Sequence, residues 1–303
     1  MFIYSEKVKH SWRMASSVNA GGLFNLDEQI WSLHDLFARN AWGNFVDSVF
    51  GGQPCMWHGG RILPPYLHLR DFDTMKDRIM GHSVRGIGCF INFSALDAGR
   101  YLDDEVSNTI LDILAESNLN GNHGVIVSDD ALRDYVRSKY PELKITASIL
   151  KVTNEHPDLT ETPEYYDNLA ESYDYVVLRQ DWNARMSFLS KIKNKHKMEL
   201  LVNSRCAPNC TMQGLHLRTA INLSRQMGTE EDIENVFKIK SSCRQRQANN
   251  FPMWLPQHRV EWLQQAGFTR IKLEGRELDW LTWCDNNLPY LIKPSFLSTF
   301  LVQ

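Results

Sequence analysis

Gly124-Val125-Ile126-Val127-Ser128-Asp129-Asp130 and, after a helical stretch, Leu143-Lys144-Ile145-Thr146-Ala147-Ser148-Ile149 carry the pattern from which the fold is read. Each is a short, continuous apolar run that ends in a polar residue. Between them, Ala131 to Lys139 reads as a helix that Pro141 stops, because proline lacks the N–H a helix needs. Strands buried on both faces show unbroken apolar runs, whereas half-exposed strands alternate. The segment is therefore a strand–helix–strand unit of a parallel sheet covered on both sides.

The same unit recurs in both directions. Upstream, residues 25–40 read as a helix with Asn25 as its cap and Ile30, Leu33, Leu36 and Phe37 at helical spacing. A strand over 44–52 ends in Gly51-Gly52. It leads into a loop holding Cys55, Trp57, His58, Gly59, Gly60, Arg61, Pro64 and Pro65. A helix around 71–80, an apolar strand over 86–93 and an amphipathic helix over 103–116 follow. Downstream, Thr162-Pro163-Glu164 opens a helix with proline in its first turn. Then come a strand at 175–179, a helix at 183–195, a strand at 198–202, a helix at 257–266 and a strand at 269–273.

About seven or eight such units fit an α/β fold of the single (β/α)8 barrel type, irregular or incomplete, better than an open doubly wound sheet. No glycine-rich first turn marks the latter. The expectation is one domain over residues 1–303, with 211–250 a long polar insertion and 277–303 a helical tail. The polar strand ends Asn92, Ser128, Ser148, Arg179, Asn203 and Glu274 would then meet at one face, where barrels place their chemistry.

The 303 residues are 43% apolar and 23% charged with a formal net charge of −3, so no basic excess announces nucleic acid. Met1 to Lys7 lacks an apolar leader core, and no run of about 18 apolar residues suggests a bilayer span. A cytoplasmic protein is expected. In a reducing compartment its six cysteines are thiols, metal ligands or redox groups. Cys89, inside an apolar strand, reads as a small buried hydrophobe.

Cys206 and Cys210 lie on a loop straight after the apolar run Leu200-Leu201-Val202. A C-x3-C pair can place two thiolates on one soft metal, which is half a site. Cys243 and Cys284 make a four-thiolate set arithmetically possible, and Cys55 is a reserve ligand. Lys272 and Glu274 share a side of their strand by its period of two. They read either as groups that tune a pKa or bind an anion, or as a structural ion pair. Arg61 and Arg276 could clamp a carboxylate. His58 and His216 are candidate proton carriers, and Asn203 and Asn92 candidate hydrogen-bonding groups. Trp254, Trp262, Trp280 and Trp283 could wall a pocket. The basic run from Lys238 to Arg246 reads first as a solvated segment and is the one place for an RNA contact.

Several of these segments together resemble a known family. Lys272-Leu273-Glu274-Gly275-Arg276 is similar to the K-I-E-G-R signature of the collagenase-like (U32) peptidases. Leu201 to Cys210 resembles their V-N-x-x-C-x-x-x-C segment, Phe50-Gly51 with Gly60-Arg61 their early Y-G…G-R loop, and Tyr140 to Ile149 their Y-P-x-L-K strand. The resemblance implies a barrel with a [4Fe–4S] cluster on Cys206, Cys210, Cys243 and Cys284; zinc on the same thiolates is the competing assignment. It implies oxygen-independent hydroxylation or a related modification of a small molecule or RNA, with prephenate as a possible co-substrate. Lys272 and Glu274 would be catalytic, and Arg61, Arg276, Asn203 and His58 would bind substrate. Two alternatives stand beside this. One is a non-catalytic iron–sulfur partner of a protein of the same family in a heteromeric complex. The other is a metal-dependent hydrolase or peptidase, which lacks support from any H-E-x-x-H helix or G-x-S-x-G elbow.

Overall fold

The computed structural model describes residues 12–59, 69, 71–210, 212–225, 227–249, 253–275 and 278–296. Eight parallel strands close a barrel: β1 (Ser17–Gly21), β2 (Ser48–Gly51), β3 (Gly88–Phe93), β4 (Gly124–Val127), β5 (Lys144–Ala147), β6 (Tyr175–Leu178), β7 (Met198–Leu201) and β10 (Arg270–Leu273). They neighbour one another in the order β1-β10-β7-β6-β5-β4-β3-β2. Two short strands, β8 (Asn203–Ser204) and β9 (Met253–Trp254), pair antiparallel outside it.

The helices are α1 (Asp27–Arg39), α2 (Phe72–Ser83), α3 (Glu105–Glu116), α4 (Asp130–Lys139), α5 (Ile149–Glu155), α6 (Pro163–Ser172), α7 (Met186–Leu189), α8 (Gln213–Ser224), α9 (Glu230–Asn249), α10 (Gln257–Gln265) and α11 (Trp280–Leu291). Short polar side chains start several of them. Asp104 accepts from Ser107 N–H, Asp129 from Ala131 N–H and Thr162 from Tyr165 N–H, each satisfying a donor that the first turn leaves open. Asn25 does not cap α1; its amide instead donates to Leu278 O at 2.9 Å. No helix among the described residues is long and apolar enough to cross a membrane.

Strand register divides the apolar residues into two clusters. Val18, Ile91, Val125, Ile145, Val176, Leu200 and Ile271 face outward and join the main core under the helices. The alternate residues face the lumen, where Phe50, Phe90 and Ile126 form a separate plug with Tyr175 against it. Gly124 belongs to this inner set. A Cβ there would lie 2.7 Å from Phe90 Cε1 and 2.4 Å from Lys144 O, so the bare backbone makes room for the Phe90 ring.

The structure departs from the sequence reading at further places. β1 was not among the expected strands. The segment 211–250 forms the helices α8 and α9, which pack on each other. Over 183–195 the chain makes only the single turn α7, with Trp182 stacked on Phe188 at 4.1 Å and Arg185 over the Trp182 ring.

Candidate functional site

The lumen-facing parity of each strand runs on into its C-terminal end and sets a polar rim there. Asn92 is buried, donates from Nδ2 to Gly59 O and accepts from the Ser94 hydroxyl. His58 is fully buried beside it, and its ring fills the space a side chain at Gly52 would need: a Cβ would be 2.6 Å from Nδ1. The glycine-rich loop after β2 thus folds down onto the end of β3 and brings His58 and Asn92 together. Ser148 caps α5 by accepting from Leu150 N–H at 3.2 Å. The Ser128 hydroxyl is buried with no hydrogen-bond partner among the described residues.

Arg179 does not reach this rim. It is buried at 1% exposure, donates to His156 O at 2.8 Å and Glu161 Oε1 at 3.3 Å, and lies 3.3 Å from Asp181. A buried guanidinium requires such partners, since removing it from water unpaired is costly. The pairing in turn orients Asp181 toward the next strand end.

There the cysteine loop is held from both sides. Asn209 N–H donates to Asp181 Oδ1 at 2.8 Å, and Arg205 N–H reaches Glu274 Oε2 at 3.4 Å. Cys206 N–H donates to Ser204 Oγ at 3.3 Å. Asn209 takes φ +51°, a left-handed turn that asparagine tolerates, and this turn reverses the chain into Cys210. Asn203 is a clasp: it accepts from Glu274 N–H at 2.8 Å and donates to Asn287 of α11 at 2.8 Å. Both thiols on the loop are half-buried.

Lys272 sits one layer below, inside the barrel. Its Nζ is 3.1 Å from Glu199 Oε2 and 4.2 Å from the Phe50 ring centroid. Glu199 is fully buried and also accepts from Asn19 at 3.0 Å, with Arg270 at 3.6 Å. Burial pushes its pKa up, but the Lys272 and Arg270 charges outweigh this and hold it below its ordinary value. Lys272 thus pairs with Glu199 within the lumen, and Glu274 pins the cysteine loop. Arg61 and Arg276 lie outside the described residues.

Helix α8 roofs one side of the mouth. It follows the cysteine loop, packs on α5, and ends at Arg225, whose Nη1 is 2.6 Å from Asp97 beyond β3. Arg225 also lies over the Tyr101 ring. Gln213 and Thr219 of this helix are buried; Gln213 Oε1 has no hydrogen-bond partner among the described residues, whereas the Thr219 hydroxyl interacts with Asp232 of α9. His216 lies half-buried on the same helix. On α9, Lys238 is exposed and 3.7 Å from Glu234, the geometry of a solvated helix face.

The four-cysteine set is spread over three elements: Cys206 and Cys210 on the loop, Cys243 on α9 and Cys284 on α11. Burial, then Asp285, pushes the Cys284 thiol up to about 11. Cys55 is buried beside the Ser107 hydroxyl, and burial raises it to about 11 as well. Among the described residues no group of three or more His, Cys, Asp or Glu side chains could hold a metal ion. The loop offers two thiolates; the described residues do not gather the four a cluster needs.

Sequence reasoning missed Glu199, Asp181 and Arg225. Glu199 did leave a signal: one carboxylate inside the apolar run Met198-Glu199-Leu200-Leu201 has to find a buried cation.

No family model and no curated protein matches the chain. Its fold is similar to the solved structure of the U32 peptidase Mk0906, with a TM-score of 0.54 at 14% identity, over 92% of this chain and 98% of that one. The likeness, at the level of fold, agrees with the expectation drawn from the K-L-E-G-R and C-x3-C segments.

Proposed function

We propose that this protein is a barrel enzyme that modifies a small polar substrate at its C-terminal mouth, with the Cys206–Cys210 loop as its soft-ligand centre. The observation that carries the reading is the double anchoring of that loop by Asp181 and Glu274. Positioning both thiols on a fixed backbone at the rim of a barrel is the arrangement a reacting or metal-binding pair requires. The buried Ser128 hydroxyl, just past the end of β4, offers a hydrogen bond to a polar substrate. Two protein thiolates on a soft metal would leave its other positions open to an outside ligand.

The finer reading, oxygen-independent hydroxylation with an acidic, prephenate-like donor, draws on the resemblance. Its carboxylate clamp would fall to Arg61 and Arg276. Anaerobic consumption of prephenate, compared between the unaltered chain and Cys206→Ser and Cys210→Ser, tests it. Consumption lost in both variants at an unchanged melting temperature is the expected result. Consumption that persists in both removes the loop from the chemistry.

A further inference from the structure

The opposite end of the barrel holds a polar cavity of about 190 Å³ between the first residues of β2, β5, β6 and β10. Arg270, Lys144, Ser48, Asn122, Tyr175 and Asp47 are among its lining residues. The charges there do not balance. Its lining cations are Arg270 and Lys144, and the carboxylate facing Arg270, Glu199 at 3.6 Å, is shared with Lys272 at 3.1 Å. Lys144 has no ion-pair partner among the described residues. Asp47 does not offset the surplus, because both its oxygens are taken by Arg13 and one also accepts from Val18 N–H.

The cations are also aimed. The Arg270 guanidinium lies 3.6 Å from the centroid of the Tyr175 ring, and its Nη1 donates to Ser17 Oγ at 3.1 Å. That stacking fixes the plane of the fork before any ligand arrives. Arg270 Nε and the Ser48 hydroxyl, the latter 4% exposed, have no hydrogen-bond partner among the described residues. Fixed donors, surplus positive charge and a small volume select a compact, multiply charged oxyanion.

We infer that the N-terminal mouth is a binding site for a small tetrahedral dianion of the phosphate class, held by Arg270, Lys144 and Ser48. This is independent of the chemistry at the other mouth. The ligand ties β2, β5 and β10 together and relieves the repulsion between the cations around Glu199.

The test is thermal unfolding of the full chain, titrated with inorganic phosphate at constant ionic strength, with chloride replacing it in the control and a bulkier phosphate monoester in a third arm. Binding to the folded state alone raises the melting temperature in proportion to ln(1 + [L]/Kd). A saturable rise with phosphate, absent with chloride, is expected, together with at least about a tenfold weaker apparent affinity in Lys144→Gln. A monoester that matches phosphate would identify the source as a terminal phosphate group; one that fails, the free ion. Lys144 is chosen because it lies at the mouth rather than in the Glu199 network, so its variant folds. A melting temperature that follows ionic strength alone, or an unchanged affinity in Lys144→Gln, overturns the proposal.

Discussion

Glu199 and His123 show how single buried groups set the conditions under which this barrel is stable. Glu199 is the carboxylate shared by two buried cations, Lys272 and Arg270, so Glu199→Gln removes their common partner. A loss of about 3–5 kcal/mol, the usual cost of breaking a buried pair by removing one partner, is expected from denaturant unfolding. Its folded pKa is held below the ordinary 4.5. The stability it contributes is therefore present above the unfolded value and lost as pH falls through the folded one. An acid titration should show that loss in the unaltered chain and a flatter profile in Glu199→Gln. His123 acts at milder pH. Its Nδ1 accepts from Cys89 N–H at 3.2 Å, and burial, then the His82 charge, lower its pKa from 6.5 to about 4. Between those values the unfolded chain binds a proton that the folded chain refuses. Stability is thus full above pH 6.5 and falls toward pH 4, by about 3 kcal/mol at 1.36 kcal/mol per unit. His123→Gln should remove this slope; a profile that keeps it contradicts the assignment.

At the scale of elements, the cysteine loop depends on groups from two neighbouring strands. Asp181→Ala removes the acceptor for Asn209 N–H and leaves Arg179 with a poorer set of partners. A cost of about 1–3 kcal/mol for the unsatisfied donor is expected, with faster alkylation of Cys206 and Cys210 in the folded chain. An unchanged alkylation rate would show that the loop does not need its anchor. The strands that bracket this loop were legible in the sequence because each buries both faces and so carries an unbroken apolar run. β1 was not, because its lumen side is Ser17, Asn19 and Gly21 and only Val18 and Ala20 are apolar. Helices α8 and α9 were hidden for a related reason: buried positions include Gln213, Thr219 and Asp232, while Ile233 and Phe237 are exposed, so no apolar stripe marks them. Of the site, the loop and the rim residues Asn92 and Asn203 could be read from strand ends. The Arg179–Asp181 support could not, because it rests on which neighbour a buried arginine finds in space.

At the scale of the whole molecule, closure joins the last helix to the first strand. Trp283 of α11 is fully buried, stacks on Trp280 at 5.2 Å and donates from Nε1 to Gly21 O at 2.7 Å. Trp283→Ala should cost about 3–5 kcal/mol, as large aromatic deletions in cores do. It should lower the midpoint of one cooperative transition rather than create a second, because β1 and β10 share a single ladder. The barrel thereby holds two differently charged mouths: the C-terminal one with a pinned thiol pair, the N-terminal one with a surplus of cations.

In the proposed function Cys206 and Cys210 act as one pair. Metal, iron and sulfide analysis of chain purified without oxygen tests it, across single alanine variants of Cys206, Cys210, Cys243 and Cys284. The expected result is a thiolate-bound metal that is lost in Cys206→Ala and in Cys210→Ala and kept in the other two. Metal kept when either loop cysteine is removed, or absent from the unaltered chain, would contradict it.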